Sequence, residues 1–190
     1  MMSEFGIYKK CRLLIFMAHK PEYQHRRSIR LQGRDYASPG EYFITICTYE
    51  RESIFGRVQE DRMLLNEWGT IAENCWGGLL KHFPHIHLGS YVIMPNHIHG
   101  IIGIDQYPEG HCKTDRKFSD AISGSISMIV GSFKSATTRQ INQVRQNSGA
   151  KIWQRNFHER IICDDVAKAR IQDYIINNPR NWRDDGFYKV

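Results

Sequence analysis

An α+β fold is what the sequence predicts, and three observations carry the prediction. Two near-continuous apolar runs, residues 87–94 and 97–104, are parted only by Pro95-Asn96, the pattern of a buried hairpin. Two other stretches, residues 64–82 and 123–146, repeat apolar side chains at the helical period. The elements alternate as strand, helix, strand, strand, helix, strand, and one more helix closes the chain.

Each element has its own warrant. Residues 1–38 are basic and irregular up to the turn signal Ser38-Pro39-Gly40, and read as an arm ahead of one domain over residues 39–190. Residues 42–49 are rich in β-branched and aromatic types and read as the first strand. Leu64, Leu65, Trp68, Ile71, Cys75, Trp76, Leu79 and Leu80 make the apolar stripe of the first helix. The central hairpin follows, then a loop over residues 105–120. The second helix carries Ile126, Ile129, Val130, Phe133, Thr137, Ile141 and Val144 on one face. Residues 151–163 read as a strand, and Asp164 can N-cap a final helix that Pro179 stops. The order βαββαβ is that of the ferredoxin-like split arrangement, here with an added C-terminal helix, and such an antiparallel sheet keeps one face free for a ligand.

Composition narrows the functional classes. The 190 residues, 41% apolar, can bury one sound core. Lys and Arg number 26 against 20 Asp and Glu, and the net charge of +6 favours a polyanionic partner such as nucleic acid. Five scattered cysteines without a C-x-x-C pair suit neither a disulfide framework nor a thiolate zinc site, so a reducing cytoplasm is expected. The longest apolar run near the N-terminus, residues 13–18, is too short to span a bilayer, and no membrane association is expected.

Two segments carry chemistry. His97-Ile98-His99 sits in the most hydrophobic strand, where period-2 geometry turns both imidazoles to one face and burial is costly unless something pairs with them. With nine histidines an H-x-H triplet is common by chance, and the second one, His85-Ile86-His87, reads as ordinary polar residues at a loop-to-strand junction. In the last helix Ala167, Ile171 and Ile175 make the core stripe, while Arg170, Tyr174 and Asn178 form a polar stripe beside it. Two imidazoles and an amide oxygen with open positions suit Mg²⁺ or Mn²⁺ acting on a phosphate better than a closed zinc site. Candidate nucleic-acid contacts are Arg26, Arg27 and Arg30 in the arm, Lys134 and Arg139 on the second helix, Arg170 on the last, and the segment containing Trp153, Arg155 and Arg160. There an aromatic would stack on a base and the cations would pair with phosphates.

The pattern resembles the single-tyrosine transposases of the HUH nuclease superfamily, and most closely the REP-associated tyrosine transposases. The resemblance covers residues 26–183 and rests on five segments in order: His25-Arg26-Arg27-Ser28-Ile29-Arg30-Leu31, Tyr42-Phe43-Ile44-Thr45-Ile46-Cys47-Thr48, Val92-Ile93-Met94-Pro95-Asn96-His97-Ile98-His99-Gly100, Ile152-Trp153-Gln154-Arg155-Asn156-Phe157-His158-Glu159 and Tyr174-Ile175-Ile176-Asn177-Asn178-Pro179. It implies that His97, His99 and Asn178 hold a divalent metal, Mg²⁺ or Mn²⁺, and that Tyr174 is the nucleophile. It also implies a single-stranded hairpin DNA substrate formed by a palindromic repeat, a 5′ phosphotyrosine intermediate, and a cytoplasmic, nucleoid-associated bacterial protein acting as a monomer or homodimer. The rival readings are a non-catalytic hairpin-DNA-binding regulator and a ferredoxin-like RNA-binding protein or ribonuclease.

Overall fold

A computed structural model describes residues 38–106 and 124–188. Arg26, Arg27 and Arg30 of the basic arm, and most of the loop expected over residues 105–120, lie outside the described residues. The elements are β1 (Gly40–Cys47), β2 (Gly56–Gln59), β3 (Arg62–Leu65), α1 (Glu67–His82), β4 (Ile86–Met94), β5 (His97–Ile104), α2 (Ile126–Val144), β6 (His158–Ile162) and α3 (Asp165–Asn177). Short 3₁₀ turns occupy Tyr49–Arg51 and Trp182–Asp184.

β4, β5, β1 and β6 form one sheet in that order, every neighbouring pair antiparallel. Strand alternation gives the sheet two chemically different faces. Tyr42, Ile44, Ile46, Ile98 and Ile102 point into the core, against Ala72, Trp76 and Leu79 of α1 and Ile126, Ile129, Val130, Phe133 and Ile141 of α2. Trp76 packs against Gly100, where any β-carbon would run into its ring. The register pairs Thr45 with His99 and Cys47 with His97, which places Phe43, Thr45, His97 and His99 on the opposite face, under α3. Among the described residues no helix is long and apolar enough to cross a membrane.

Three expectations need correction. The first helix begins at Glu67, because Asn66 caps it by accepting from the Gly69 amide at 2.9 Å. Leu64 and Leu65 belong instead to β3, which pairs with β2 across a two-residue turn whose Glu60 and Asp61 have φ of 51° and 59°. The strand expected over residues 151–163 shrinks to His158–Ile162. Ahead of it Trp153 makes a lone bridge to Thr48, and Lys134 Nζ donates to the carbonyls of Gln154, Arg155 and Asn156 at 3.0, 3.4 and 3.0 Å. Those contacts draw the chain off the sheet edge. The helix expected over residues 123–146 is shorter at both ends, running Ile126–Val144 behind the Ser125 cap.

Candidate active site

The site is built at the Cys47 end of β1, where β5 begins. His97 and His99 lie side by side, ring centroids 4.4 Å apart, both essentially buried. His97 Nδ1 is 2.9 Å from Asn96 Oδ1. The Asn96 amide nitrogen already donates to the carbonyls of Phe187 and Arg51, at 2.8 and 3.2 Å, so its oxygen must accept. His97 is thereby fixed as the Nδ1–H tautomer, with a bare lone pair on Nε2. Burial first, then the Arg51 guanidinium, push its pKa down to about 3, so the ring is neutral at any ordinary pH. Burial and the neighbouring His97 hold His99 well below the usual imidazole range too.

Tyr174 and Asn178 arrive from α3. Asp164 starts that helix by accepting from the Ala167 amide at 2.7 Å, and Ile175 is its one fully buried residue. Asn178 is the residue that caps its C-terminal end. One turn apart on the polar stripe, Tyr174 sets its ring edge-on to Phe43 and against His99, at centroid distances of 6.2 and 5.1 Å. Its hydroxyl lies 3.1 Å from His99 Nε2 and 3.3 Å from Asp185 Oδ2, and 42% of the residue is exposed, leaving the ring open from one side. Burial and then the Asp185 charge raise the Tyr174 pKa above its ordinary value. Without a cation nearby, this phenol is a poor nucleophile.

The donor set fits a divalent metal. Two buried atoms of the site, His97 Nε2 and Asn178 Oδ1, have no hydrogen-bond partner, although burying such acceptors unpaired is costly. His97, His99 and Asp185 each offer one ligand atom, all within 4.8 Å of one another. Imidazole nitrogens with carboxylate and amide oxygens suit Mn²⁺ or Mg²⁺.

The remaining sequence candidates are spread more widely. Arg139, Arg155 and Arg170 are exposed, and Arg160 is half-buried on β6. Trp153 is a correction: its indole is 8% exposed and packs on Phe55 and Phe133, so it cannot stack on a base. Lys134 is a second correction, since its ammonium is committed to the three carbonyls of residues 154–156 and is not free for a phosphate. His87 stands away from the histidine pair, between Asp105 and Glu41.

Sequence reasoning missed Asp185. The chain turns back after Pro179, Trp182 is buried beside His97, and Phe187 lays its ring 4.5 Å from that imidazole. The acidic pair Asp184-Asp185, seven residues past the polar stripe, is the one local signal that could have pointed there.

No protein-family profile matches the chain. A Haemophilus influenzae protein without an assigned function is 39% identical over 171 residues, spanning 86% of this chain and 93% of its own. A second protein of that organism, described as a candidate REP-associated tyrosine transposase, is 26% identical over 77% of this chain and 73% of its own. Among solved structures, a REP-associated tyrosine transposase bound to a REP hairpin superposes with a TM-score of 0.54 at 21% identity, covering 81% of this chain and 74% of that one.

Proposed function

We propose, from the premise that this chain is a relative of the REP-associated tyrosine transposases, that it is a metal-dependent single-stranded DNA endonuclease and strand transferase acting at hairpin-forming repeats. The observation that carries the reading is the meeting of the Tyr174 hydroxyl with His99 Nε2 at 3.1 Å, beside the unpartnered His97 Nε2 and Asn178 Oδ1. A nucleophile and unsatisfied ligand atoms share one side of a sheet. The antiparallel order β4-β5-β1-β6, with α1 and α2 crossing one face, supports a ferredoxin-like fold, and α3 is the added helix that carries the nucleophile.

In this reading His97 and His99 hold the metal through Nε2 and Asn178 through Oδ1, with Asn96 and Thr45 fixing the two ring orientations. A bound Mg²⁺ or Mn²⁺ supplies positive charge that favours the phenolate and offsets charge building on the scissile phosphate. Phe43 and His99 hold the Tyr174 ring, which keeps its oxygen beside the histidine pair that would carry the metal. Tyr174 Oη forms a bond to phosphorus as the bond to the 3′ oxygen breaks; the phenolic proton is released and the 3′ oxygen takes one up. A 5′ phosphotyrosine and a free 3′ hydroxyl result, and the same bond energy serves rejoining. Arg139, Arg155, Arg160 and Arg170, with Arg26, Arg27 and Arg30 of the arm, are the phosphate contacts of this reading.

The deciding experiment incubates the full chain with labelled single-stranded hairpin DNA from the flanks of its own gene, with Mn²⁺, with Mg²⁺ and with a chelator. A denaturant-resistant protein–DNA adduct that needs the metal is expected. Tight hairpin binding with no cleavage under any metal would make the protein a non-catalytic regulator, and preferential cutting of an RNA hairpin would make it a ribonuclease.

A further inference from the structure

We infer that Asp185 is itself a ligand of the metal, through Oδ2, so that the site binds a divalent cation before DNA arrives. The inference rests on the metal-dependent reading above and adds to it a residue outside the two histidines and the helix amide.

The carboxylate is built into place. Its Oδ1 accepts from the Phe187 amide at 2.7 Å, which leaves Oδ2 on the side of Tyr174 and Asn178. The Asn178 amide nitrogen donates to that Oδ2 at 3.0 Å, and the same bond holds the Asn178 amide whose oxygen is buried without a partner. The segment carrying Asp185 is pinned at three further points: Asn96 Nδ2 to Phe187 O at 2.8 Å, Arg51 Nη1 to Gly186 O at 3.3 Å, and the Phe187 ring on His97. None of the ion pairs among the described residues neutralises Asp185. Oδ2 also accepts from the Tyr174 hydroxyl at 3.3 Å, and within 4.8 Å of the carboxylate lie two imidazole nitrogens, one of them a bare buried lone pair that no donor meets. A cation among them satisfies all of them together.

Charge decides the consequence. Two neutral imidazoles and an amide bring no negative charge to a divalent ion, and such a site would depend on the phosphate of the substrate. Adding Asp185 gives an anionic set of two nitrogens and two oxygens, which retains Mn²⁺ without DNA.

The test is Mn²⁺ binding to the DNA-free full chain, read from loss of the free-ion electron paramagnetic resonance signal, with melting temperature measured in parallel. Wild type is expected to take up one ion. Asp185→Asn should weaken binding about tenfold or more, as ligand and supporting-shell changes do, while the exposed neighbour Asp184→Asn should leave it unchanged. ¹³C hyperfine coupling in wild type labelled at aspartate, with unlabelled asparagine supplied so that Asn178 stays silent, gives the same answer without a variant. Equal affinity in wild type and Asp185→Asn, no aspartate coupling, or uptake by wild type only when hairpin DNA is added would each overturn the inference while leaving the metal-dependent reading intact. Failure of wild type to bind Mn²⁺ even with hairpin DNA, or undiminished binding by His97→Ala, would overturn that reading and the inference with it.

Discussion

The Tyr174 hydroxyl lies 3.1 Å from His99 Nε2, and the other nitrogen of the same imidazole lies 2.8 Å from Thr45 Oγ1. A threonine hydroxyl can donate or accept, so it serves both tautomers of His99. When Thr45 donates to Nδ1, Nε2 carries the proton and gives it to the Tyr174 oxygen. When Thr45 accepts from Nδ1–H, Nε2 is a bare lone pair ready for a metal. Thr45→Val keeps the shape and removes the partner that holds the second form. It should weaken Mn²⁺ binding by roughly 10-fold, whereas Thr45→Ser should stay near wild type; a titration of the three proteins checks this.

Tyr174→Phe removes one oxygen and keeps the ring contacts with Phe43 and His99. Two hydrogen bonds at 3.1 and 3.3 Å from a part-exposed hydroxyl are lost, so stability should change by about 1 kcal/mol or less. The variant should bind hairpin DNA and Mn²⁺ as wild type does and form no covalent adduct. An adduct from the Phe variant, or one mapping to Tyr91 or Tyr188 in wild type, would remove Tyr174 from the mechanism.

Much of this site was legible because its two halves obey local periods. His97 and His99 share a face by strand alternation, and Tyr174 falls on the Arg170–Asn178 stripe by helical spacing. Asp185 obeys neither. Its position depends on Asn96 donating to Phe187 O, a bond 91 residues apart in sequence, and on Trp182 finding a buried seat. The same limit explains Leu64 and Leu65, whose apolar spacing suits a helix until the cap at Asn66 and the turn at Glu60-Asp61 assign them to a hairpin. It explains Trp153 as well, which reads as an edge-strand aromatic until its bridge to Thr48 turns the indole toward Phe55 and Phe133.

Lys134 separates structural cations from those available to DNA. Burial lowers its pKa to about 8, so at neutral pH it remains protonated and donates to three carbonyls. Lys134→Met keeps the aliphatic stem and leaves those carbonyls without their donor. A loss of roughly 1–3 kcal/mol in denaturant unfolding is expected, with the dependence of DNA affinity on salt unchanged. The exposed Arg155 should behave in the opposite way: Arg155→Ala should leave stability alone and reduce the salt slope by about 1. A change of salt slope in the Lys134 variant, at full stability, would return that lysine to the DNA-contact set.

The far end of the same sheet face is tied to α3 by charge, and that tie is pH-sensitive. His87 lies across Gly103 with Nδ1 2.6 Å from Asp105 and Nε2 3.3 Å from Glu41, and Lys168 of α3 reaches Glu41 at 2.8 Å. Burial alone would lower the His87 pKa, but the hydrogen bonds and charges of Asp105 and Glu41 outweigh it, and the value rises above 6.5. The His87 contribution is therefore complete below pH 6.5 and fades as pH climbs through the raised value. For Glu41 burial works upward, yet the bonds from Lys168 and His87 win and the value falls below 4.5. Its contribution is present above pH 4.5 and is lost as pH drops through the lowered value. The network should be strongest in mildly acidic solution. Because the groups are half-exposed, each limb should amount to a shift of only a few degrees in melting temperature. Gly103→Ala places a β-carbon where the His87 ring lies, and the ring can swing into solvent. That variant should flatten the alkaline limb and keep the acid limb, since Glu41 and Lys168 remain paired. Melting curves of both proteins from pH 4 to 9 decide it, and an unchanged alkaline limb in Gly103→Ala would assign the titration to another histidine.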